Sequence, residues 1–259
     1  MRVTYSTKGT QVECRQGSEF WANVLRPGPK GCRVNGSTVG AACGVDPYRK
    51  PCYLFDDMRG IIEGHPFPVR ETDAMRHGRA CEPFLRAETE RVMGYKVLDG
   101  NYWVSTEYPD YLGYSPDGLI GLPDRSGQTS DYTWIPLNGI CEHKTCFGEL
   151  YPVDGPIKRA HMAQMMLGMY LTGAPHCDYS YGKLDFENPE WDFAGGLWPF
   201  VVKRVHYRER YAAELVERAV LFGKMVDQNA RPHDKTPWKD RPRLTMQGIQ
   251  VDLIYKRGC

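Results

Sequence analysis

Alternation of side chains along one strand sets the tightest constraint on this chain. In Ile140-Cys141-Glu142-His143-Lys144 it puts Ile140, Glu142 and Lys144 on one side and Cys141 and His143 on the other. Glu142 and Lys144 therefore point into the same space. Upstream, Ser115-Pro116-Asp117-Gly118 is a strong turn signal between the apolar pairs Tyr111-Leu112 and Leu119-Ile120, which predicts a neighbouring hairpin over 111–121 that would bring Asp117 to them. An acid on a turn, followed by an acid and a lysine two apart on a strand, can hold a divalent cation beside a phosphodiester. Hard oxygen ligands on Asp117 and Glu142 suit magnesium or manganese and require neither thiol nor imidazole. The cation would polarise the scissile phosphoryl oxygen and activate water. Lys144 would orient the nucleophile or stabilise negative charge as it develops. Either fragment alone is more often a surface turn or a solvated strand end; together they read as a metal-dependent nuclease.

At 259 residues the chain can bury a good core in one α/β domain, with the core over about residues 15–228 and a C-terminal extension over 229–259. A formal net charge of +1 argues against a uniformly basic coat, so any positive surface facing nucleic acid must be local. The 9 cysteines form an odd, scattered set behind a polar N-terminus without a secretion signal, and they read as intracellular thiols. No apolar run approaches the roughly 18 residues that a membrane-spanning helix needs. A soluble, intracellular, non-secreted protein with no membrane partner is expected.

Arg26-Pro27-Gly28-Pro29-Lys30-Gly31 cannot be regular helix and forms a loop with two positive charges. A helix capped by Ser37 is expected over 37–43, with an N-terminus that would favour a phosphate. The clearest early helix covers 73–93: Asp73 caps it, Met75, Phe84, Leu85, Thr89 and Val92 recur near helical spacing, and Gly94 ends it. Glu82 sits mid-helix before Pro83, where a local kink is predicted. Strands follow at 95–98 and 102–107, and a polar, mobile loop fills the interval between 121 and 132. A helix over 157–171 carries the stripe Ala160, Gln164, Leu167, Gly168 and Leu171. Strands at 178–184 and 200–207 and an amphipathic helix at 209–227 complete an order of αβββαββα. Residues 229–243 are proline-rich and net basic, and read as a solvated connection in preference to a DNA-contacting arm.

Competing constellations fail. Asp117 stands where a Gly-x-Ser-x-Gly nucleophile elbow needs glycine, and no phosphate-binding Gly-x-x-x-x-Gly-Lys-Ser/Thr loop exists. The spacing of Cys141, His143 and Cys146 fits no common zinc site. Cys177 and Cys259 follow too far apart for an iron–sulfur cluster.

Glu142-x-Lys144 stands in sequence with Gly78-Arg79-Ala80-Cys81-Glu82-Pro83, Tyr111-Leu112-Gly113-Tyr114-Ser115-Pro116-Asp117-Gly118 and Met162-Ala163-Gln164-Met165-Met166. In this order they resemble the lambda-type phage exonucleases and their YqaJ-type viral recombinase relatives, within the PD-(D/E)xK nuclease superfamily, over about residues 15–185. The resemblance implies a restriction-endonuclease-like α/β core with a central mixed sheet flanked by helices. It implies a Mg2+ (or Mn2+) ion held by Asp117, Glu142 and the backbone carbonyl of His143. Lys144 would act on the attacking water, Glu82 would complete a second metal or water shell, and Gln164 would support the site. Ser37 matches a serine that binds phosphate at the substrate end, with Lys30, Arg26 or Arg33 as its basic partner. The implied activity is a 5′-to-3′ exonuclease on linear double-stranded DNA that leaves 3′ overhangs for recombination or repair. Implied partners are duplex DNA with a free end, a single-strand annealing protein and further copies of the chain in a trimer, in a bacterial cytoplasm or virus-infected cell. An endonuclease of the same superfamily and a non-catalytic DNA-binding protein on this scaffold are the alternatives. The interval from Asp117 to Glu142 is longer than in compact members, which implies an inserted loop. His143 replaces the usual apolar residue, and alternation turns its ring away from Glu142, leaving only its carbonyl for the cation.

Overall fold

The computed structural model of the chain describes residues 8–14, 33–65, 72–123, 134–145, 152–184, 198–233, 238 and 244–257. The expected loop with Arg26 and Lys30, the polar loop and most of the basic stretch over 229–243 lie outside the described residues.

Nine strands and five helices are described: β1 (Gly9–Val12), α1 (Gly36–Ala42), α2 (Pro51–Ile62), α3 (Asp73–Met93), β2 (Lys96–Leu98), β3 (Tyr102–Ser105), β4 (Gly113–Tyr114), β5 (Gly118–Pro123), β6 (Trp134–Thr145), α4 (Arg159–Thr172), β7 (His176–Gly182), β8 (Phe200–His206), α5 (Glu209–Asp227) and β9 (Val251–Arg257). Six strands form one mixed sheet in the order β2-β5-β6-β7-β8-β9. Only β6 and β7 run parallel in it, and α4 is the crossover that a parallel pair requires. The remaining three make a small sheet in the order β1-β3-β4. Helix α3 covers one face of the large sheet, burying Cys81 and Leu85 with Phe200, Val202 and Trp198. On the other face, α4 lies between the two sheets and packs against α1 and α5. The central mixed sheet flanked by helices is the expected architecture.

The inner position of α4 explains why its apolar pattern goes beyond a stripe. Every residue from Met165 to Thr172 is buried, because both sheets and two helices surround it. The helix also starts two residues later than expected and ends on Gly173 in the left-handed conformation, φ 74°. Helix α3 has the predicted span and the predicted Gly94 terminator, but Thr72 caps it in place of Asp73, accepting from the Met75 amide at 3.2 Å. It runs through Pro83 as one helix of 21 residues, with the proline on its exposed side, and Met75 is exposed too.

Two further expectations are corrected. Ser37 is not the cap of α1: Asn35 is, accepting from the Thr38 amide while the Thr38 hydroxyl receives the Asn35 amide in return. Nor does Ser115-Pro116-Asp117-Gly118 close a hairpin. Tyr114 pairs with Trp103 in the small sheet, whereas Gly118 pairs with Cys141 in the large one, so residues 115–117 pass from one sheet to the other. Helix α2 and strands β1 and β9 were not foreseen. In the C-terminal extension, β9 is the edge strand of the large sheet, so at least those residues belong to the same layer as the core.

The crossing at 115–117 places the Tyr114 ring between two helices at points where each carries glycine. A Cβ on Gly36 of α1 would come within 2.7 Å of the ring, and one on Gly168 of α4 within 2.4 Å. Tyr114 and Ile140 are both fully buried there, so neither can retreat. Gly168→Ala is expected to lower stability by about 1–3 kcal/mol through overpacking. Gly78→Ala on α3, where a Cβ meets nothing within 4 Å, should instead raise it by about 0.5–1 kcal/mol. Urea unfolding of the two variants checks the contrast.

Candidate active site

Glu142 and Lys144 project from β6 toward α4, and the His143 ring projects to the opposite face, as alternation requires. The Glu142 carboxylate is wholly buried, with 0% of its surface exposed. Such a group is tolerated only if hydrogen bonds replace its water. Three donors do so from three elements. The Tyr114 hydroxyl on β4 donates to Oε2 at 2.8 Å, the Gln164 amide on α4 donates to Oε1 at 2.5 Å, and the Lys144 ammonium also donates to Oε1. Burial still dominates: with Asp117 nearby it pushes the Glu142 carboxyl up to about 7, against the pull of Lys144 and Tyr114.

Asp117 joins this group by a different route from the one the sequence suggested. It precedes β5, and its Oδ2 accepts the backbone N–H of His143 at 2.7 Å. The Lys144 Nζ lies 3.9 Å from the same oxygen, so one ammonium is within ion-pair range of both acids. Burial alone would lower the Lys144 pKa, but Glu142 and Asp117 outweigh it and hold it above the usual lysine value. Lys144 is therefore a charged donor in this arrangement. Glu82 on α3 faces the cluster more distantly. Burial and then the Asp117 charge raise its carboxyl, while Lys144 and Arg86 oppose them.

The main chain contributes as well. The ladder between β5 and β6 ends at the pair of Gly118 with Cys141, two residues short of His143. The N–H and C=O of one strand residue point to the same edge. The His143 carbonyl therefore faces the side on which Asp117 takes its N–H, and Pro116 has no N–H to offer it. Two carboxylates drawn to one positive charge, beside a carbonyl beyond the end of the ladder, form a donor set of hard oxygens that fits a small divalent cation. Among the described residues no three His, Cys, Asp or Glu side chains meet in metal-holding geometry. The side-chain ligands would accordingly be the Asp117–Glu142 pair, with Glu82 behind them.

Residues expected at the substrate end are less assembled. Ser37 is exposed on the first turn of α1, its hydroxyl donating to Asn35 Oδ1 at 2.8 Å. The next residue back, Gly36, abuts Tyr114 and Gln164, so Ser37 lies at the margin of the cluster. Arg33 does not stand open as a phosphate group, because its guanidinium pairs with Asp227 at 2.8 Å at the end of α5. Lys30 and Arg26 lie outside the described residues. Sequence reasoning assigned Tyr114 and His161 no role. Tyr114 was hidden because a tyrosine on an apolar strand usually signals only packing. His161 bonds the Tyr179 hydroxyl at 2.9 Å, and burial, then Lys144 and Lys158, depress its pKa to about 3. On the far face the His143 ring contacts the Ser180 hydroxyl at 2.6 Å, and burial lowers it to about 4.

Because the folded Glu142 titrates near 7 and an unfolded glutamate near 4.5, the folded cation-free protein binds the extra proton between those values. Its contribution to stability is present below about 4.5 and is lost as pH rises through about 7. The stability of wild type minus that of Glu142→Gln should therefore decline from pH 5 to pH 8 in EDTA. Paired denaturant titrations check it; a flat or rising difference would contradict the burial argument.

Comparison with known proteins bears on the fold and the family. The fold is similar to that of an alkaline exonuclease from Laribacter hongkongensis, with a TM-score of 0.54 and 19% identity over 76% of this chain and 88% of that one. The same values hold for the structure of that enzyme in complex with dAMP. The likeness extends the expected restriction-endonuclease-like core to this chain. No curated protein matches it at a significant level. The model of the YqaJ-like viral recombinase domain matches residues 21–175, a stretch that contains Asp117, Glu142, Lys144, Gln164 and Glu82. By that match the chain belongs to the YqaJ-like viral recombinase domain family.

Proposed function

We propose that this protein is a metal-dependent deoxyribonuclease that digests one strand of linear duplex DNA from a 5′ end, leaving a 3′ overhang for recombination or repair. The observation that carries the reading is that Asp117, from a separate segment, comes within ion-pair range of the Lys144 ammonium that also binds Glu142. Membership of a recombinase family and likeness to a structure named an exonuclease support the reaction class.

In this reading Asp117, Glu142 and the His143 carbonyl hold Mg2+ or Mn2+, which when bound would supply Lewis acidity toward the phosphodiester. Lys144 keeps its proton, orients the attacking water and stabilises negative charge on the phosphoryl oxygens. Gln164 and Tyr114 fix the Glu142 carboxylate so that no reorientation is needed when substrate arrives. Glu82, with its raised carboxyl, would hold a proton or a water at the edge of the cluster. Ser37, with Lys30 or Arg26, would meet the terminal phosphate. The whole chain acts as one nuclease domain, and the family resemblance adds a homotrimer and a single-strand annealing protein as partners.

Lys144→Ala should reduce cleavage by at least about 10²–10³-fold while leaving DNA binding largely intact. Digestion of end-labelled linear, nicked and covalently closed circular DNA, with magnesium or with EDTA, checks the rest. Turnover in excess EDTA would refute the metal requirement. Cutting of closed circles would point to an endonuclease, and earlier release of 3′ label would reverse the polarity.

A further inference from the structure

His161 flanks the cluster without belonging to it. Helix α4 is the crossover between the parallel strands β6 and β7, so it runs against them and its first turns stand over their C-terminal ends. Gln164 meets Glu142 there. His161, three residues earlier, lies on the same face of the helix, about 4.5 Å nearer its start. On β6 the step from Glu142 to Lys144 covers about 6.6 Å in the same direction. The ring therefore stands near the level of the Lys144 side chain. Its Nδ1 is anchored 2.9 Å from the hydroxyl of Tyr179, the residue paired with Glu142 on β7. His161 and Gln164 are half-buried, whereas every other residue from Met162 to Thr172 is buried, so α4 opens toward the cluster at these two positions. The other ring nitrogen, Nε2, takes no partner among the described residues and is not sealed from solvent. Burial, then Lys144 and Lys158, keep the ring uncharged at neutral pH.

We propose that His161 touches the substrate, donating from Nε2 to a non-bridging oxygen of the scissile phosphodiester while Tyr179 donates into Nδ1 and so fixes the proton on Nε2. A neutral ring suits this place. It adds a donor beside Lys144 without a second positive charge, and it leaves the oxygens of Asp117 and Glu142 to their own partners. Lys144 serves the acids and the attacking water, and His161 covers the phosphoryl group from the helix side. The inference rests on the reading of the cluster as the site of phosphodiester cleavage.

Substitution can separate the two ring nitrogens. The amide of His161→Asn falls near Nδ1, so it keeps a partner for Tyr179 and loses the donor at Nε2. The amide of His161→Gln reaches the position of Nε2 and gives up Tyr179. Single-turnover digestion of end-labelled linear duplex DNA in magnesium, at saturating enzyme, should slow about 10²-fold in His161→Asn, the scale on which one preorganised donor acts. It should stay close to wild type in His161→Gln. A ring that only anchors Tyr179 would give the reverse order. Thermal melting confirms that each variant is folded. If the asparagine variant is not, His161→Leu against Tyr179→Phe makes the same comparison, and loss of both nitrogens should slow cleavage well beyond loss of the hydroxyl alone. Equal rates in the two variants compared, whether at or below wild type, overturn the proposal, as does the reverse order. Failure of wild type to digest DNA with magnesium would sink the parent reading instead, and this one with it.

Discussion

A carboxylate sealed from water is a costly group, and the contacts around Glu142 follow from the need to satisfy it. Left without donors, buried Glu142 would take up a proton and could not serve as an anion near neutral pH. Its donors come from β4, β6 and α4, that is, from the small sheet, the large sheet and the helix between them. Each element must be placed to within a few tenths of an ångström for those bonds to form. The same three contacts that make the charge tolerable therefore also fix the relative position of the layers. Separating stability from chemistry at this point is not possible, because one set of hydrogen bonds serves both.

The two sheets meet where the chain steps from Tyr114 to Gly118. This step delivers Tyr114 to one side of Glu142 and Asp117 to the other within four residues. A hairpin would have kept both ends of the segment in one sheet and moved Tyr114 away from α4. Small residues are what allow the actual course. Glycine at 36 and 168 lets an aromatic ring pass between helices that any larger side chain would have forced apart.

How much of this could be read in the sequence depends on the range of the interaction. Residue alternation in β6 is local, and it correctly separated Glu142 and Lys144 from the His143 ring. Gly94 and the apolar spacing of α5 likewise gave element bounds that the fold keeps. Turn chemistry misled at Ser115-Pro116-Asp117-Gly118, because a turn-like tetrapeptide does not reveal which sheet each flank will join. Helix α2 opens on Pro51, a residue that usually punctuates regular structure but is well suited to a first helical turn. The amphipathic stripe assigned to α4 was too narrow, as periodicity reports one buried side and this helix has several. Tyr114 and the pairing of Arg33 with Asp227 depend on contacts across long stretches of chain, which spacing does not encode.

Proline at 116 has a consequence for how far the ladder between β5 and β6 can run. Strands that lie side by side tend to zip up wherever donors and acceptors face each other, and an extra rung beyond Gly118 would bury the His143 carbonyl in a ladder bond. An imino acid at that rung cannot supply the missing hydrogen, whatever the temperature, ionic strength or bound ligand. A proline two residues before Gly118 thus limits this ladder by covalent structure alone.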